Sequence, residues 1–177
     1  MTVMNRKARW LGAALLAVAV LAGAPPTTGI TEAAAPSPAV GTTLVAGTTL
    51  VTGAGSGVFP SGAVWGGVQL SGGSFGQGVA VFSDGTARGD FQMILAGTNV
   101  FGVATKILVV GWVTAGAANP DGSVSITGTC RVDLQDGTVP SSGVPFTAAV
   151  TTGGLQLTVG ATALPTLVKS AGWIYLE

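Results

Sequence analysis

The chain has 177 residues, enough for one domain with its own core. Seven Lys and Arg balance seven Asp and Glu, there is no His, and there is a single Cys. This composition excludes Ser-His-Asp and Cys-His nucleophiles, metal sites built on His or paired Cys, and an intramolecular disulfide, and it implies no cofactor.

The first element is a leader. Asn5-Arg6-Lys7-Ala8-Arg9 is basic, Trp10 to Ala24 is apolar, and Pro25-Pro26 opens a stretch of small residues. That is the layout of a secretory signal peptide, expected over residues 1–33. Thr31-Glu32-Ala33 suits cleavage before Ala34, and Val20-Leu21-Ala22 offers the alternative before Gly23. The apolar run falls short of the ~20 residues a spanning helix needs. The expected location is secreted, extracellular. Without the leader, four basic side chains (Arg88, Lys106, Arg131, Lys169) face six acidic ones (Asp84, Asp90, Asp121, Asp133, Asp136, Glu177), a net charge of −2. Nucleic acid, which needs a basic footprint, is excluded as a partner, as is a polybasic membrane patch.

Residues 34–57 are expected to be an extended, low-complexity segment. "GTTLVAGTTLV" (41–51) repeats itself at a six-residue offset, as a strand pair or an arm at the sheet edge, and "TGAGSGVFPSG" (52–62) reads as a flexible connector. The β domain is expected over 58–177. Its first strand is "AVWGGVQL" (63–70). In "GQGVAVFSDGTARGDFQMIL" (76–95), Asp84-Gly85 signals a two-residue hairpin turn. That turn sets Phe82 opposite Ala87, Ala80 opposite Gly89 and Gly78 opposite Phe91. One face then holds Ala80, Phe82, Ala87, Gly89, Phe91, Met93 and Leu95, and the other Val79, Val81, Arg88, Asp90 and Gln92.

"KILVVGWVTA" (106–115) is the next strand and "ANPDG" (118–122) a turn. "SVSITGTCRVDL" (123–134) alternates cleanly, with Val124, Ile126, Gly128, Cys130, Val132 and Leu134 on one face. "QDGT" (135–138) turns, "VPSSGVP" (139–145) is a loop, and "FTAAVT" (146–151), "LQLTV" (155–159) and "GWIYLE" (172–177) are strands. Strands at this spacing predict one all-β, antiparallel domain: a β-sandwich or a small up-and-down β-barrel built as a meander of hairpins.

Two Arg-x-Asp pairs carry most of the charge outside turns and ends: Arg88/Asp90 and Arg131/Asp133. Arg88-Gly89-Asp90 matches an adhesion tripeptide, but it falls within a strand rather than at a loop tip. Residues i and i+2 share a face, so each pair is either a locally neutral, solvated decoration or half of a ligand-binding site in which Arg supplies forked donors. These four residues are the candidate ligand-binding set; no catalytic or metal-binding residue is assigned. Cys130 lies on the apolar face, where Cys acts as a small hydrophobe. Trp173 and Tyr175 share a face, for core packing or for binding sugars or an apolar surface. The expected role is a secreted, non-catalytic β protein with a structural or surface-interaction function. The alternative is a barrel carrying a small apolar ligand; a His-independent enzyme and a membrane barrel follow. The partner class is a small apolar molecule or a cell-surface component.

Overall fold

The computed structural model describes residues 47–177; the expected leader and residues 34–46 lie outside them. Ten antiparallel strands follow in chain order: β1 (Thr49–Val58), β2 (Val64–Trp65), β3 (Val68–Val81), β4 (Thr86–Asn99), β5 (Ala104–Ala118), β6 (Val124–Asp133), β7 (Ser141–Thr151), β8 (Gly154–Val159), β9 (Thr162–Ala163) and β10 (Leu167–Leu176). From β3 to β8 each strand pairs with the next, as the hairpin signals require. The two ends of the meander then meet. β1 pairs with β3 from Thr49↔Val81 to Val58↔Gly72 and with β10 from Val51↔Leu176 to Val58↔Val168, and β10 pairs with β8 at Leu167↔Leu155. The hydrogen bonds form a ring, so the sheet is a closed barrel.

β1 corrects the reading of its sequence. Most of the connector expected at 52–62 is a strand held on both sides, and the expected boundary at residue 58 is the last residue of β1. Its glycines are the reason it fits. A Cβ at Gly55 would stand 3.1 Å from the Phe75 ring, at Gly53 3.2 Å from Ile174, and at Gly57 2.7 Å from Leu167. The β10 carbonyls of Trp173, Ala171 and Val168 come closer still, so the glycines admit both the neighbouring backbone and the three large side chains. Gly, read from sequence as flexibility, is here complementary to bulk on neighbouring strands.

The β3–β4 turn corrects the register. The paired residues are Val81↔Ala87, Val79↔Gly89 and Gln77↔Phe91, one residue off the expected set. The loop has three residues, not two. Phe82 N–H donates to Thr86 O (2.9 Å), Gly85 N–H donates to Phe82 O (3.0 Å), and only Gly85 is left-handed, with φ +83°. Asp84 Oδ1 accepts from Thr86 N–H (2.9 Å) and Thr86 Oγ1 (2.6 Å), which fixes this geometry over the two-residue turn. A one-residue slip exchanges the faces of a strand. Val79 and Val81 are therefore core residues, while Ala80 and Phe82 are half-buried. On β4 and β6 the inward residues are as expected, Gly89 and Gly128 included among the half-buried positions.

The interior is packed. Phe91, Met93, Leu95, Ile107, Ile126, Leu155 and Leu157 are buried side chains from four strands. Phe146 lies across Gly111 and Gly128, where Cβ atoms would stand 2.7 and 3.1 Å from its ring, and stacks on Phe91 at 5.5 Å. β7 and β10 begin earlier than expected, at Ser141 and Leu167, because pairing with β6 and β8 extends them past the turn-like residues.

Gly111→Ala puts a methyl into the Phe146 ring. It is expected to lower stability by about 1–3 kcal/mol, read as a fall in thermal midpoint, because an overpacked core must shift its side chains. The turn aspartates give a pH dependence. Hydrogen bonds from the Thr86, Ser123 and Thr138 side chains, then from their backbone N–H groups, hold the carboxyls of Asp84, Asp121 and Asp136 below the usual carboxylate range. A depressed folded pKa adds stability above the unfolded value, near ~3.9, and that stability is lost as pH falls through the folded value. Denaturant midpoints should hold from neutral pH to about pH 4 and fall below it. A Thr86→Ala/Ser123→Ala/Thr138→Ala variant should be weaker at pH 7 and lose less on acidification.

Candidate functional site

The four sequence-derived candidates stand on the outer wall. Arg88, Asp90 and Arg131 are exposed and Asp133 is half-buried, while their neighbours Ala87, Phe91, Cys130 and Val132 point inward. Arg88-Gly89-Asp90 lies within β4, where Gly89 opposes Val79 of β3 and Val113 of β5. The two pairs share the β4–β5–β6 wall but do not meet. Asp90 pairs with Trp112 and Arg131 with Val110, so β5 separates them by two strand spacings, about 10 Å. Arg131 Nη2 lies 3.9 Å from Asp133 Oδ2, the one ion pair among the described residues, and Asp133 Oδ1 accepts from Gln135 N–H (2.9 Å). Asp133 thus closes the turn after β6. Exposed pairs of this kind contribute little to stability. Cys130 is fully buried, and burial pushes its thiol pKa up. Among the described residues no group of three His, Cys, Asp or Glu could hold a metal ion.

Trp112, 51% exposed, stands on this same wall beside Asp90, and a pair of exposed aromatic side chains lies on β10. Trp173 and Tyr175 are 44 and 57% exposed, with ring centroids 5.1 Å apart and planes tilted by 30°. Ile174 between them points into the core. The pair forms a ridge on β10. Pairing places Ala54 and Thr52 of β1 beside it, then Gly76 and Gly78 of β3, then Gln92 and Asp90 of β4. A Cβ at Gly76 or Gly78 would meet nothing within 4 Å, so the floor is low and open. A shallow pocket of about 190 Å³ lies at Ser74, Gly76, Gln92 and Ile94. The i, i+2 spacing of Trp173 and Tyr175 was legible in the sequence. The glycine floor was not, because it follows from β1 pairing between β10 and β3.

A larger cleft, about 820 Å³, opens at the end of the barrel that carries the β4–β5 hairpin. It lies between that hairpin and the loop after β6, with Val68, Ala96, Val103, Leu134, Lys106 and Gln135 among its lining. No motif in the sequence marks it.

One interior residue escaped the sequence reading. Gln77 is 8% exposed, faces inward between Phe75 and Val79, and neither amide atom has a partner. The expected two-residue turn would have put it outside. Burying an unpaired amide costs about 1–3 kcal/mol. Gln77→Met keeps the shape and removes the polar atoms, so it is expected to raise stability by about 1–2 kcal/mol in denaturant titration. A fall would mean that the amide is satisfied by buried water. Comparison with protein-family models, curated proteins and solved structures finds no match for the chain.

Proposed function

We propose that the chain is an exported, non-catalytic barrel that works through its outer surface, and that the Trp173–Tyr175 ridge binds a neutral polysaccharide of a cell surface. The carrying observation is the exposed aromatic pair beside a glycine-floored trough. Aromatic faces with a polar tip suit the apolar faces of sugar rings, and exposed Ser74 and Gln92 and half-buried Thr52 offer donors and acceptors for hydroxyls. The packed interior favours this over the apolar carrier, which would need room inside the barrel.

The distribution of polarity supports a water-facing wall. Arg88, Asp90, Gln92, Thr129 and Arg131 point outward among the exposed apolar side chains Trp112, Val168, Trp173 and Tyr175, a charge content that a lipid-facing wall disfavours. No helix among the described residues is long and apolar enough to cross a membrane. Export rests on the leader pattern alone.

Sedimentation with insoluble neutral polysaccharides, cellulose and chitin, tests the ridge. The protein is expected in the pellet, with Trp173→Ala lowering retention at least about tenfold, since loss of an aromatic anchor costs more than ~1.4 kcal/mol. Trp173 is part-exposed, so the variant should keep its fold. Equal retention of the variant, or none of the wild type, would sink the proposal.

A further inference from the structure

Three turns of the barrel share one backbone geometry. At Phe82–Thr86, Asn119–Ser123 and Asn99–Val103, the first residue's N–H donates to the fifth residue's carbonyl, and the fourth residue, a left-handed glycine, donates back to the first. In the first two turns the third residue is Asp, whose carboxylate accepts from the fifth. In the third turn Asn99 Oδ1 does this work from the first position, accepting from Phe101 and Val103 N–H at 3.0 Å each. The side chains at 100, 101 and 103 have no part in making the turn. The equivalent positions elsewhere are Ser, Asp and Thr, or Pro, Asp and Ser; here they are Val, Phe and Val. Phe101 is 86% exposed and Val100 80%. Val139, 90% exposed, stands on the loop between β6 and β7 at the same end.

Beside this apolar knob lies the cleft of about 820 Å³, with Val68, Ala96, Val103 and Leu134 in its lining. Its wall includes Gln135, the one non-glycine residue with positive φ among the described residues, at φ +57°. Backbone held in that region tends to mark a site where the surroundings dictate the conformation. The wall carries one cation, Lys106, and one carboxylate, Asp136, so the face is neutral and does not repel a copy of itself.

A knob and a hole side by side on one end of a molecule are self-complementary: a two-fold axis through that end brings each knob over the other's hole. We propose that two copies of the chain associate end to end, with Phe101 of each seated in the cleft of the other. The cleft is then completed by a side chain it does not itself supply, and the Trp173–Tyr175 ridge of each copy, on the wall and not the end, stays free.

Sedimentation equilibrium of the full exported chain tests this. The wild type is expected to be a dimer at micromolar concentration. Phe101→Asp should raise the dissociation constant at least about 100-fold, the size of effect a central aromatic anchor carries. Its circular dichroism and thermal midpoint should match a monomer's, because Phe101 is exposed and Asn99 makes the turn. Ala96→Arg, which blocks the cleft from the other side, should do the same. Mixing the two variants should restore association in part, since one intact knob meets one intact cleft. A wild-type chain still monomeric at about 100 μM, or a dimer that neither variant weakens, overturns the proposal. So does a monomeric wild type that uses Phe101 to bind phosphatidylcholine vesicles.

Discussion

Closure through β1 is the constraint on which the rest of the structure depends. An open meander from β3 to β8 would leave two unpaired edges, each a row of backbone donors and acceptors that seeks another strand. β10 and β9 cover the edge of β8, and β1 covers that of β3 and closes the ring by pairing with β10. Past Val51, the inward positions of β1 are the glycines 53, 55 and 57. Phe75, Ile174 and Leu167 occupy the space that side chains at 53, 55 and 57 would take. Closure also brings the Trp173–Tyr175 ridge next to the Gly76–Gly78 floor, since these lie far apart in sequence and meet only across β1.

The same trade of bulk against absence recurs across the barrel. Phe146 rests on Gly111 and Gly128 as Phe75 rests on Gly55. Gly55, Gly111 and Gly128 thus make room for two phenylalanine rings. With a lone buried Cys130 and no disulfide among the described residues, stability rests on this packing and on the laddered backbone. Gln77, with both amide atoms unpaired in the middle of that packing, is the exception.

Much of the fold was legible in the sequence, for definite reasons. The period-two alternation of β4 and β6 identified their inward residues, because one-sided burial writes itself directly into such strands. The Asp-Gly signals located the turns at 84–85 and 121–122. What they could not give was loop length. Two-residue and three-residue turns share Asp-Gly, and the three-residue form here is accompanied by hydrogen bonds from Thr86 to Asp84 Oδ1 that lie outside the motif. The longer loop turns Val79, Val81 and Gln77 from outside to inside. β1 was hidden for another reason. A strand whose inward positions after Val51 are all glycine carries little hydrophobic pattern, and its identity comes from its neighbours. The candidate site was legible only in fragments. The Arg-x-Asp pairs were correctly placed outside but stand apart, and the trough and cleft are made by pairing and by loops that no local pattern encodes.

The double pairing of β1 also has a consequence in time. The hairpins from β3 to β8 join near neighbours, and such contacts form early because the loops they close are short. The seam between Val51 and Leu176 joins the two ends of the barrel and closes the longest loop in it. Until that seam forms, β1 and β10 both keep an unpaired edge. The order of assembly is therefore written into the topology: meander first, ring last, with two open edges exposed until the ring closes.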